Sequence, residues 1–231
     1  MRWAAIVVAA GRGVRFGQPK QLIELAGRPL VAWSIATFAE IESISDLVVV
    51  TEPEQCSDVA ELARTFAPRL AVAVTPGGAT RQRSVACGLA QVPAACDGVL
   101  VHDGARPLVR VADVRAAMAL VGPGVGACLA APVVDTIKLV GADGRVVRTL
   151  DRAQLWAAQT PQLALTADLR SAHERAARSE FEATDDATLL ESAGSVVRIV
   201  AVSGENFKVT LPGDRERAEQ ILRDRRLAPA P

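Results

Sequence analysis

The amino-acid sequence predicts an α/β fold, a mostly parallel twisted sheet flanked by helices. Three observations carry this. Short β-branched runs alternate with longer segments of helical period, several runs are followed at once by glycine and charge, and no linker or internal repeat divides the chain. The 231 residues are enough for one domain with a substantial core that needs no disulfide; 50% hydrophobic and 23% charged residues lie close to globular averages. Residues 1–231 are therefore read as one domain.

In chain order, strands are expected at Ala4–Val8, Leu47–Thr51, Ala71–Val74 and Val99–His102. Between them Leu30–Ala39, Ser57–Thr65 and Arg81–Ala90 place apolar residues at i, i+3 and i+4, as crossover helices require, and Val111–Leu120 follows as a helix. The pattern then changes. Ala127–Ala131 reads as a strand, and Asp135–Leu150 alternates around Asp143-Gly144, a hairpin turn signal, giving an arm-like β excursion. Helices resume at Ala167–Arg178 and Asp185–Ala193, with a strand at Val196–Val200 and a charged final helix at Asp214–Arg226.

Composition excludes several classes of function. Lys plus Arg (26) balances Asp plus Glu (26), which removes the bulk electrostatic case for nucleic acid or an anionic membrane. The apolar run Trp3–Ala10 resembles a signal-peptide core, but Gly11, Arg12 and Gly13 follow at once, so a buried first strand feeding a glycine loop is the expectation. The longest apolar stretch, Val121–Val134, is broken by Gly122, Pro123, Gly124, Gly126 and Pro132, and no membrane span is expected. Cys56, Cys87, Cys96 and Cys128 form no CxxC pair and only His102 and His173 accompany them, so a structural zinc site is not expected and cytoplasmic thiols are.

The most informative segment runs from Ala9 to Gln21, with Ala9, Ala10, Gly11 and Gly13 leading to Arg15 and Lys20. Glycines let successive backbone N–H groups face phosphate oxygens, and the two cations add fixed charge. Phe16 stands where the dinucleotide fingerprint has Gly or Ala, and there is no Gly-Lys-Ser/Thr ending of a Walker loop. Such a loop suits charge developing on a phosphoryl or nucleotidyl group in transfer.

Ligands of open parallel sheets sit beyond the carboxyl ends of strands. There the sequence places Pro76-Gly77-Gly78-Ala79-Thr80-Arg81-Gln82-Arg83-Ser84 and His102-Asp103-Gly104-Ala105-Arg106-Pro107. Asp103 is a candidate for a divalent cation or ribose hydroxyls, the alternative being a partner for Arg106 or a turn residue. His102, a lone histidine ending an apolar strand, reads as a packed, hydrogen-bonded side chain. Asp135-Thr136-Ile137-Lys138, Asp151-Arg152, Thr160-Pro161-Gln162, Thr184-Asp185-Asp186 and Asn206-Phe207-Lys208-Val209-Thr210 each read alone as turn chemistry, a cap or a surface charge.

Together these segments, in this order from Ala4 to about Leu222, resemble the 2-C-methyl-D-erythritol 4-phosphate cytidylyltransferases of non-mevalonate isoprenoid synthesis. The resemblance implies a Rossmann-like nucleotide-diphospho-sugar transferase fold and a homodimer joined through β-arms at about residues 132–155. It also implies a magnesium-dependent reaction of CTP with methylerythritol phosphate. By the same resemblance Arg15 and Lys20 stabilise the transition state, and Arg152 and Lys208 position the substrate phosphate. Gly78, Ala79 and Ser84 would face cytosine, and Asp103 the ribose or magnesium. Ala9, Ala10, Gly11, Gly13, Arg81, Gly104 and Arg106 would line the CTP site. Thr136 and Arg152 would complete the partner subunit's pocket, with Thr160, Thr184 and Lys208 finishing it.

The chemistry agrees, because a phosphate oxygen is already an ionised nucleophile and the need is for cations rather than a base. Two departures stand out: the segment between Arg15 and Lys20 is two or three residues shorter than usual, and Gly104 stands where the family often has Ala. The alternatives are a ribitol-5-phosphate cytidylyltransferase, which Lys138 and Thr184-Asp185 fit less well, and a non-catalytic nucleotide-binding module, which would not retain the full cationic set. Relatives with a fused cyclodiphosphate synthase exist; with the sequence ending at Pro231, a monofunctional enzyme is expected.

Overall fold

The computed structural model describes residues 1–11 and 20–227, with Lys20 and the last two by backbone alone. Its centre is a seven-stranded sheet whose strands lie side by side in the order Val196–Ala201, Val125–Pro132, Trp156–Leu165, Gly98–Asp103, Trp3–Val8, Ile44–Thr51 and Ala71–Pro76. The first strand, β1 (Trp3–Val8), is a continuous apolar run because it lies between two parallel neighbours and is covered on both faces. Those neighbours are β4 (Ile44–Thr51) and β6 (Gly98–Asp103), and β5 (Ala71–Pro76) extends the sheet beyond β4, again in parallel. Helices α1 (Leu30–Ala39), α2 (Cys56–Phe66), α3 (Arg81–Ala90) and α4 (Val111–Met118) supply the connections expected from periodicity. A short hairpin, β2 (Glu24–Leu25) and β3 (Arg28–Pro29), precedes α1.

The core divides by sheet face. Val7, Ile35, Phe38, Leu47, Leu100 and Leu129 belong to one buried cluster, and Ile6, Val48, Val85, Val101, Leu169 and Leu190 to the other. Adjacent strand residues fall in different clusters, as the period of two demands.

The far half of the sheet holds a correction. Thr160-Pro161-Gln162, which alone reads as turn chemistry, lies inside β10 (Trp156–Leu165), a strand antiparallel to both β6 and β7 (Val125–Pro132). The polar residues and Pro161 hide this strand in the sequence, since proline gives no N–H to a ladder; the register against β7 shifts between Ala158 and Gln162, where the proline sits. Strand β11 (Val196–Ala201) closes the sheet beside β7. Helices α5 (Thr166–Arg178), α6 (Asp186–Ser192) and α7 (Pro212–Leu227) match expectation within two residues at each end.

The arm is present as the antiparallel hairpin β8 (Lys138–Val140) and β9 (Val146–Thr149). Val134, Leu139, Val140, Val146, Val147 and Trp156 are exposed along it and at its base. Among the described residues no helix is long and apolar enough to cross a membrane.

Candidate active site

Register brings the site together. Val8 pairs with both Val50 and Asp103, and Thr51 with Pro76, so β1, β4, β5 and β6 end at one edge of the sheet. The chain leaves β1 toward β4 on one side and returns to β6 on the other, which makes the β1/β6 edge the switch point where α/β sheets bind ligands. Ala9-Ala10-Gly11, the Gly77–Thr80 turn and Gly104–Arg106 all emerge there. The approach is close: a Cβ on Gly77 would stand 2.3 Å from the Ala10 Cβ, so only glycine lets the β5–α3 turn lie against the end of β1.

Asp103 is the hub. Lys208 Nζ donates to Asp103 Oδ2 at 3.0 Å, Arg81 Nε donates to Oδ1 at 3.2 Å, and Arg106 Nε lies 3.6 Å from Oδ2. Burial alone would raise this carboxyl, but Lys208, Arg81 and Arg106 outweigh it and hold Asp103 well below the usual carboxylate range. Each cation reaches the hub from a different part of the chain. Arg81 opens α3, whose N-cap Thr80 accepts from Arg83 N. Arg106 follows β6 and donates through Nη1 to the Asn206 carbonyl at 2.9 Å. Lys208 rides on the loop before α7, which is fixed by Val209 N to Ala105 O at 2.8 Å, by the Asp214 cap and by Arg217 stacked on Phe207.

Beneath the hub lies a buried neutral network. Thr160 Oγ1 accepts from Asp103 N at 3.0 Å and donates to His102 Nδ1 at 3.2 Å, while His102 Nε2–H donates to the Arg106 carbonyl at 3.1 Å. The carbonyl can only accept, which fixes the tautomer. Asn206 Nδ2 donates to Thr160 O at 2.9 Å and ties the Lys208 loop to the same strand. His102 is thus the packed, hydrogen-bonded side chain expected of it, and burial pushes its pKa down to about 4.

A histidine depressed in this way contributes nothing above its unfolded pKa and weakens the fold below it, because the unfolded chain takes up a proton that the native protein refuses. Between pH 6.5 and about 4 wild-type protein should lose stability faster than His102→Gln by roughly 1.4 kcal/mol per pH unit. Urea unfolding of both at pH 7 and pH 5 measures this, and parallel pH dependences would rule it out.

Not every expected residue joins the cluster. Gly13 and Arg15, with the shortened segment before Lys20, lie outside the described residues, and so does the Lys20 side chain; the Lys20 backbone opens a short 3-10 turn to Leu22. Ser84 is buried beside the Gly77–Gly78 turn, where its hydroxyl accepts from Gly78 N at 3.1 Å and donates to Thr80 O at 2.9 Å, fixing the turn. Ala79 and Gly78 are exposed at the cleft edge. Gly104 is buried, and a Cβ there would meet Gln21 Oε1 at 3.1 Å and Val31 at 3.2 Å. Thr136 and Arg152 are exposed in and beside the arm, with Arg152 Nη1 donating to Val134 O at 2.8 Å. Thr184 is exposed just before α6, which Asp185 caps through Thr188.

Sequence reasoning missed Asp186 and Asn206 as members of the site. Asp186 looks like an ordinary acidic first-turn residue, and Asn206 like a turn former; nothing local marks either as buried. For a divalent cation, no group of three or more His, Cys, Asp or Glu side chains among the described residues is placed to cage one. Asp103, the ionised carboxylate of the cluster, is already held by Lys208 and Arg81.

Comparison with known proteins places this geometry. The model of the 2-C-methyl-D-erythritol 4-phosphate cytidylyltransferase family matches residues 3–224. A relative of that name from Thermosynechococcus vestitus is 41% identical, covering 96% of this chain and 95% of its own; one from Pelotomaculum thermopropionicum is 40% identical, covering 98% of each. The crystal structure of 4-diphosphocytidyl-2C-methyl-D-erythritol synthase from Anaerococcus prevotii superposes with a TM-score of 0.85 at 26% identity over 96% of both chains. That of 2-C-methyl-D-erythritol 4-phosphate cytidylyltransferase from Thermus thermophilus gives 0.75 at 33% identity, covering 96% of this chain and 100% of that one. With its family model matched almost end to end and its sheet shared with these enzymes, the chain belongs to the 2-C-methyl-D-erythritol 4-phosphate cytidylyltransferase family.

Proposed function

We propose that the protein joins CTP to 2-C-methyl-D-erythritol 4-phosphate. A substrate phosphate oxygen attacks the α-phosphorus of CTP, the bond from that phosphorus to the bridging oxygen breaks, and pyrophosphate leaves with the electron pair. The products are the CDP-linked alcohol and pyrophosphate. The observation that supports this most is the convergence of Arg81, Arg106 and Lys208 on Asp103 at the sheet's switch point. Two anions must approach each other in this reaction, and fixed cations in a partly desolvated cleft lower that barrier.

In this reading Ala9, Ala10, Gly11 and Gly13 lie along the triphosphate, and Arg15 and Lys20 stabilise charge at the α-phosphorus. Gly78, Ala79 and the Ser84-fixed turn border the cytosine. Asp103, Gly104, Arg81 and Arg106 set the ribose and phosphate side. Lys208 orients the attacking phosphate, with Thr160 and Thr184 completing the pocket. A divalent cation such as magnesium, carried mainly by the nucleotide phosphates beside Asp103, supplies charge neutralisation when bound.

The chain acts as one domain, with the arm at residues 132–155 reserved for a second copy. An isolated two-stranded hairpin is marginal in water, and this one exposes Leu139 and several valines, which suits an arm clasped by its partner. Thr136 and Arg152 would then serve the partner's pocket. Its place is the cytoplasm, where CTP is made and where the four free cysteines stay reduced.

Purified protein with CTP, magnesium and either methylerythritol phosphate or ribitol 5-phosphate tests this by pyrophosphate release. Turnover with the former and little with the latter is expected. Turnover with ribitol 5-phosphate alone, or with neither, overturns the proposal.

A further inference from the structure

Asp186 is the most deeply buried acidic side chain beside the cation cluster, at 1% exposure, and it lies outside the residues assigned roles above. Its Oδ2 accepts from Arg81 Nη2 at 2.9 Å, whereas the same guanidinium donates from Nε to Asp103 at 3.2 Å. The other oxygen, Oδ1, is buried with no hydrogen-bond partner among the described residues. Capping does not account for it, because Asp185 caps α6 through Thr188. Burying a carboxylate is costly and a hydrophobic residue would be tolerated at least as well for stability alone, so its pairing with Arg81 calls for another reason.

We propose that Asp186 is a positioning residue for the nucleotide site: it pins one end of the planar Arg81 guanidinium, so that only Nε is presented to Asp103 and the second Asp103 oxygen stays free for Lys208. A guanidinium is a rigid fork that readily grips a single carboxylate with two donors. Released from Asp186, Arg81 would close on both oxygens of Asp103 and compete with Lys208 for Oδ2. Asp186 acts on the reaction through Arg81, and the burial that raises its own carboxyl is opposed first by Arg81 and then by the buried His173 of α5.

This rests on the cytidylyltransferase reading and deepens it. The test uses full-length protein with Asp186→Asn, Arg81→Ala, the double variant and Arg81→Lys, compared by pyrophosphate release at varied CTP and by thermal unfolding. Asp186→Asn is expected to lower kcat/KM for CTP by about tenfold or more. In the Arg81→Ala background the same change should cost no more than about twofold, because the residue it acts through is gone. Arg81→Lys, which keeps the charge but cannot span both carboxylates, should reproduce the loss even if Asp186→Asn fails to fold.

Equal losses in both backgrounds, a lowered melting temperature with unchanged kcat/KM, or Arg81→Lys behaving as wild type would overturn the proposal. Should wild-type protein bind CTP yet release no pyrophosphate, the functional reading fails by itself. The same variants are then compared by calorimetric CTP affinity, where additive losses overturn the positioning role and non-additive losses support it.

Discussion

Alanine at Lys208 is expected to lower kcat at least about a hundredfold, with the fold intact, and alanine at Lys20 to do the same. The Lys208 side chain is 39% exposed and its ammonium stands 3.0 Å from Asp103, so it is neither buried for stability nor lost to solvent; it waits at the rim of a cation cluster. An exposed lysine of this kind contributes little to folding. In the proposed reaction it orients the attacking phosphate, while Lys20 stabilises charge gathering around the α-phosphorus, and both donors are needed most in the transition state. Losing one fixed donor there costs on the order of 3 kcal/mol of barrier. Steady-state pyrophosphate release, with circular dichroism to confirm folding, checks both variants, and Lys208→Ala turning over near the wild-type rate would remove the central electrostatic claim.

Removing Asp103 attacks stability as well as turnover. Alanine there leaves Arg81, Arg106 and Lys208 facing one another with one shared counter-charge gone; breaking a buried pair typically costs about 3–5 kcal/mol. Lys208 is solvent-screened, so the loss falls mainly on the two arginines, and about 3 kcal/mol is the expected size. The pH dependence has a definite sign. A carboxyl held below its unfolded value contributes stability that is fully present above the unfolded pKa, near ~4, and is lost only as pH falls through the lower folded value. The gap between wild type and Asp103→Ala in urea unfolding should therefore be constant from pH 7 to pH 5 and narrow below pH ~4. A gap below about 1 kcal/mol at pH 7 would mean that the arginines find other partners.

Much of the architecture was legible because buried parallel strands and amphipathic crossover helices leave periodic traces: Leu30–Ala39 and Arg81–Ala90 match to the residue. Strand β10 left none, since its centre is Gln159-Thr160-Pro161-Gln162, where the Thr160 side chain is met by β6 and the Gln162 side chain by Asp185 and Ala187 at the start of α6. The glycine turns and Asp103 were recognisable as chemistry-bearing types at strand ends, whereas Lys208 stood out only through the family resemblance.

The sequence by itself determined the alternating α/β plan, the hairpin arm and the family, because these depend on local period, turn residues and motif order. Only the tertiary structure decided that Arg81 spans Asp103 and Asp186, and that His102, Thr160 and Asn206 form the floor beneath them. Arg81 lies 105 residues from Asp186, Lys208 lies 105 residues from Asp103, and Asn206 lies 46 residues from Thr160. No local preference encodes contacts over such distances; sheet register and the return of the last loop against β6 create them.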